Sequence, residues 1–114
     1  SLIVRNEGYI VFRTEYGSGI MDKNGNILIK DKYEYIPYCN GRMFIARMGN
    51  EYVAMSMDEN IISEYRVNKI VSITSNGFVG IKDDNYVLLN DNFKLLKEFS
   101  NLVYNLKPYA EISY

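Results

Sequence analysis

At 114 residues the chain is long enough for one domain with its own core and short for two. Lys and Arg total 13 against 14 Asp and Glu, and a net charge of −1 gives no field to steer polyanions, so nucleic acid is not expected as a partner. There is no histidine, the commonest general base and metal ligand, and the single Cys39 permits neither an intrachain disulfide nor a thiolate zinc site.

Taken in order, the chain alternates turn signals with runs of strand-forming residues. Glu7-Gly8 leads into Tyr9 to Thr14, rich in aromatic and β-branched side chains. Tyr16-Gly17-Ser18-Gly19 reads as a bend; its glycines lack the spacing of a serine nucleophile elbow. Two apolar runs, Ile20-Met21 and Ile27-Leu28-Ile29, flank Asp22-Lys23-Asn24-Gly25, where Asp22 can accept hydrogen bonds from turn amides and Gly25 is predicted to take a positive φ. Tyr33, Tyr35 and Tyr38 follow, beside Lys30 and Lys32. Asn40-Gly41 then opens the run Arg42 to Met48, and Asn76-Gly77 the run Phe78 to Lys82. Asp91 to Leu106 also carries the apolar spacing of a helix, but the internal self-similarity argues for strand there. After Pro108, Tyr109 to Tyr114 reads as the opening strand of a further copy. No apolar run approaches the ~20 residues needed to span a bilayer, and no charged-then-apolar leader appears at the start, so a soluble domain is expected.

The self-similarity sets the fold. Met21-Asp22-Lys23-Asn24 aligns with Met57-Asp58-Glu59-Asn60 and with Leu89-Asn90-Asp91-Asn92, 36 and 32 residues apart (21 to 57, 57 to 89). In this alignment the first copy has the extra pair Gly25-Asn26, and Asn60 and Asn92 stand in for the glycine because asparagine tolerates the left-handed region. Counted from Ile27, Ile61 and Phe93, the sets Tyr33, Val67, Phe99 and Ile36, Ile70, Leu102 are predicted to be equivalent and buried. The expected fold is one all-β domain over 1–114, an array of three degenerate β-meander repeats of about 35 residues, propeller-like or an open twisted sheet. Its units run about 8–40, 41–76 and 77–108, with a terminal strand 109–114. The strands at each end lack an outer neighbour, and unpaired edges invite another chain, so self-association or a protein partner is expected there.

Ser18-Gly19-Ile20-Met21-Asp22-Lys23-Asn24-Gly25-Asn26-Ile27-Leu28-Ile29, followed by Lys32-Tyr33-Glu34-Tyr35, resembles the WG-type β-repeats of bacterial proteins. Those carry Trp-Gly, an apolar residue, Ile-Asp, a Lys-Asn-Gly turn, a β run and a Lys-Tyr-Asp-like segment. Tryptophan is absent here: Ser18 occupies its place in the first copy, Ala54-Met55 aligns with the pair in the second, and Tyr86 is the nearest aromatic in the third. The resemblance implies an all-β repeat array acting as an interaction module, with no shared catalytic residues.

Carboxylates are the remaining route to catalysis. Asp83-Asp84 and Asp58-Glu59 are adjacent pairs in predicted turns, whereas paired acid–base work needs two carboxylates facing one substrate. Asp22, Asp58 and Asp91 lack the spaced acidic ladder of a calcium loop and read as turn caps. No enzyme, metal site or cofactor is expected. Eleven tyrosines are the unusual feature. A ring with a polar tip suits interfaces and can stack on sugars, so Tyr33, Tyr35, Tyr38 and Tyr109 are the candidate binding residues. The expected function is a non-enzymatic protein-interaction or scaffold module; the alternative is a carbohydrate- or cell-surface-binding module.

Overall fold

The computed structural model describes residues 4–6 and 8–100. These form strands and connections with no helix. In chain order the strands are β1 (Val4–Asn6), β2 (Tyr9–Thr14), β3 (Gly17–Asp22), β4 (Ile27–Tyr33), β5 (Tyr35–Cys39), β6 (Met43–Met48), β7 (Glu51–Ser56), β8 (Lys69–Thr74), β9 (Gly77–Lys82), β10 (Asn85–Asn90) and β11 (Leu95–Phe99). They assemble into three antiparallel sheets, each a meander of sequence neighbours: β1-β2-β3-β4, β5-β6-β7 and β8-β9-β10-β11. The strand Tyr9–Thr14, expected to lack an outer neighbour, has one: the short β1 pairs with it from Val4↔Val11 to Asn6↔Tyr9, because the turn at Gly8 folds the preceding residues back on it. No sheet closes on itself among the described residues. Where a helix competed, the described part is β11, paired with β10 from Leu89↔Leu95 to Tyr86↔Phe99. Among the described residues no helix is long and apolar enough to cross a membrane.

The three hairpins β2-β3, β6-β7 and β9-β10 begin at Tyr9, Met43 and Gly77, an interval of 34 residues each time (9 to 43, 43 to 77). The turns after them keep the same interval. Asp22, Ser56 and Asn90 each donate their backbone N–H to a carbonyl four residues on, at 2.9, 2.8 and 2.9 Å. Gly25, Glu59 and Phe93 donate back to those three residues' carbonyls at 3.0, 2.8 and 2.9 Å. A side-chain oxygen locks each turn: Asp22 Oδ1 accepts from Asn24 and Asn26, Ser56 Oγ from Asn60, and Asn90 Oδ1 from Asn92 and Lys94. Gly25 has φ 88°, as predicted.

This geometry corrects the sequence alignment. Met21 is equivalent to Met55 and Leu89, all three turns have one length, and the left-handed residues opposite Gly25 are Glu59 (φ 64°) and Phe93 (φ 64°), not Asn60 and Asn92. The physical reason is the side-chain acceptor at the head of the turn, which organises the loop whatever residue occupies the left-handed position. In the same register Ser18 is matched by Tyr52 and Tyr86, not by Ala54 and Tyr86. The middle sheet lacks a full outer strand, yet its bridges Met55↔Ile61 and Tyr52↔Val67 repeat the β3-β4 pairs Met21↔Ile27 and Ser18↔Tyr33 at that interval.

Alternation along the strands places the core between the sheets. Phe44, Ala46, Val53 and Met55 of the middle sheet pack on Val11, Ile20, Ile29 and Tyr33 of the first. Met43, Ile45 and Ala54, pointing the other way, pack on Phe78, Val87, Leu89 and Phe93 of the third. The middle sheet is therefore buried on both faces, which is why Met43-Phe44-Ile45-Ala46 reads as a continuous apolar run rather than an alternating one. Of the predicted buried set, Tyr33, Ile36 and Val67 are buried and Ile70 and Phe99 half-buried, while Leu102 lies outside the described residues. Cys39 is fully buried in the first cluster, and burial pushes its thiol pKa up.

Candidate functional site

The structure sends the candidate tyrosines to different surroundings. Tyr33 closes β4 and lies in the seam between the first two sheets, 7% exposed, its ring edge-on to Phe44 at 5.4 Å. Tyr38 is half-buried in the second core, edge-on to Phe78 at 5.3 Å. Tyr35, on the opposite parity of β5 from Ile36, is 48% exposed and is the one of the three whose ring faces solvent. Tyr109 and the terminal strand 109–114 lie outside the described residues.

The Tyr33 phenol donates to the Glu59 carboxylate, and Lys32 Nζ meets the same oxygen at 2.9 Å. Glu59 sits on the middle sheet's turn, so this cluster clasps one sheet to the next. The tyrosine hydrogen bond and then Lys32 hold the Glu59 carboxyl below the usual range. Burial, and after it Glu59, push the Tyr33 phenol up. A second clasp joins the middle and third sheets, where Arg42 donates to Asn92 Oδ1 at 2.9 Å and to the Asp91 carbonyl at 3.0 Å. The buried Ser63 hydroxyl donates to the Phe93 carbonyl at 2.7 Å. Both clasps grip the turn of the following sheet, one from the adjoining strand and one from the residue before β6.

Two open features stand out among the described residues. The first is a groove of about 250 Å³ on the third sheet, lined by Asn68, Lys69, Ile81, Asp83, Asp84 and Tyr86. Asp83 (φ 49°) and Asp84 (φ 70°) form the β9-β10 tip, and Asn68 Oδ1 accepts the Asp83 N–H at 2.9 Å. The groove sets one half-buried ring beside two carboxylates and an amide. The second is a row of apolar residues that follow the turns. Ile27, Ile61 and Leu95, at the 34-residue interval, are 54%, 44% and 41% exposed, and their neighbours Leu28 and Leu96 are 42% and 59% exposed. Ile62 and Leu95 also line a groove of about 400 Å³ with Ser63, Tyr65 and Lys94. Among the described residues β4 and β11 are the outer strands of their sheets, so the first and last pairs of this row lie on strands with one side unpaired there.

Among the described residues no three His, Cys, Asp or Glu side chains are gathered for a metal ion. Sequence reasoning singled out Asp83-Asp84 and the tyrosine cluster but missed Glu59 as a clasp, and it missed Asn68, Lys69 and the exposed apolar row. The signal for the last was present: an apolar pair directly after each turn, visible once the 34-residue register replaces the uneven one. Compared with protein-family models, curated proteins and solved structures, the chain matches none.

Proposed function

We propose that this protein is a non-enzymatic protein-interaction module, an array of three degenerate β-meander units of the WG-repeat kind arranged as in a propeller. The observation that carries the reading is the exposed apolar row Ile27-Leu28, Ile61 and Leu95-Leu96, whose first and last pairs lie on β4 and β11, the outer strands among the described residues. An extended peptide laid along such an edge takes backbone hydrogen bonds from the strand and affinity from the apolar side chains. Selection of binders from a displayed library of extended apolar peptides tests it. The reading expects binders whose affinity falls at least tenfold with Leu95→Lys and Leu96→Lys together, at unchanged thermal stability, since tenfold is about 1.4 kcal/mol. No enrichment, or binders indifferent to these changes, would count against it.

The groove at Tyr86 supports a second reading, a carbohydrate-binding module, because a ring beside carboxylates and an amide offers stacking and hydrogen bonds to a sugar. A glycan array probed with the full chain decides it. Hits lost on Tyr86→Ala favour the sugar, and an array without hits removes it.

A further inference from the structure

The two outer sheet faces carry the residues that the inner faces bury. On the face each sheet turns toward its successor, Val11 and Ile45 recur as Val79, and Ile20 and Ala54 as Leu88, at the 34-residue interval. On the face each sheet turns toward its predecessor, Phe44 and Phe78 are matched by Ile10, and Met55 and Leu89 by Met21. Every member that meets a neighbouring sheet is at most 7% exposed, whereas Val79, Leu88, Ile10 and Met21, on the outer faces, are half-buried. The pairs Val79↔Leu88 and Ile10↔Met21 are cross-strand neighbours, so each outer face holds a contiguous apolar centre. Gly19 replaces the Val53 and Val87 of the inner faces because β4 backbone crowds it, with Ile29 O 2.5 Å from where a Cβ would stand.

We propose that a second copy of this chain docks head to tail, its first sheet on the outer face of the third, continuing the packing of the two inner seams. The occupant follows from complementarity. At its centre the outer face of the third sheet has, in Val79 and Leu88, the apolar pair that receives a successor, and the outer face of the first has, in Ile10 and Met21, the apolar pair of a successor. Such a contact is heterologous: it joins two different faces and requires one of each. Two copies so joined hold six sheets, within the range of about four to eight over which four-stranded sheets close radially.

The logic of unlike faces gives the test, by sedimentation velocity on the full chain. The wild type is expected to associate with rising concentration, and Ile10→Arg and Leu88→Arg, each blocking one face on every copy, are each expected to sediment as monomers. An equimolar mixture of the two is expected to recover a dimer, because the first variant keeps an intact third sheet and the second an intact first sheet. A wild type that stays monomeric at its solubility limit overturns the proposal, as does a variant that self-associates alone or a mixture that fails to recover. Thermal unfolding accompanies each variant. Should arginine abolish folding, Ile10→Thr and Leu88→Thr take its place, and if these also unfold the chain, the faces are covered within one chain and the proposal is wrong. Leu95 and Leu96 of the proposed peptide site begin β11, at one end of the strand and outside the Val79-Leu88 centre, so Leu95→Lys with Leu96→Lys is expected to leave this association unchanged.

Discussion

Phe93 places a bulky side chain at a turn position with φ 64°, a left-handed conformation unfavourable to such residues. Its ring, fully buried and edge-on to Phe78 at 5.4 Å, offsets that strain by filling the second core. Phe93→Gly relaxes the backbone yet empties the site, so a net loss of about 2–4 kcal/mol is expected by urea unfolding, since removing a buried phenylalanine costs about 3–5 kcal/mol. At Gly25 nothing lies within 4 Å of an added Cβ, so Gly25→Val is expected to cost about 1–2 kcal/mol through the left-handed backbone alone, and Gly25→Asn clearly less. Equal losses from valine and asparagine would contradict this. Glu59 adds a pH dependence. Its folded pKa is lowered by the Tyr33 phenol and Lys32, so its contribution is present above the unfolded value of 4.5 and is lost as pH falls through the folded value. Glu59→Gln should therefore flatten the drop in the urea midpoint between about pH 5 and about pH 3, leaving a smaller slope from Asp22, which Asn26 holds low in the same way.

At the level of strands and turns, much was legible because local chemistry decided it. The Asp-Lys-Asn-Gly turn and the strands after Gly8, Gly41 and Gly77 form where composition placed them. The register between copies was not legible, because by residue type Phe93 aligns with Ile27 and Glu59 with Lys23, while both hold the glycine's place. Nor could the sequence say which tyrosines face out. Tyr33 and Tyr35 differ by two residues, but β4 ends and β5 begins between them, so strand parity does not carry across. The sheet faces give a sharp comparison within one equivalent series. Ile45→Ala, in the seam, is expected to cost about 2–5 kcal/mol, whereas Val79→Ala at the matching outer position should cost under about 1 kcal/mol in the monomer. Thermal melts at low protein concentration check it, and equal costs would show that the outer face is core.

For the whole molecule, stability rests on the middle sheet, because its strands β5, β6 and β7 pack in both clusters. The outer sheets each lean on one seam and one clasp, so local opening should start from them. Amide hydrogen exchange resolved by residue and followed over a series of protein concentrations tests this arrangement most directly. The account predicts that the slowest amides lie in β6 and β7 and exchange only by global unfolding, with β2-β3 and β9-β10 faster and gaining protection as concentration rises. Slowest exchange in β8 or β2, or a middle hairpin that opens before either outer sheet, would contradict it.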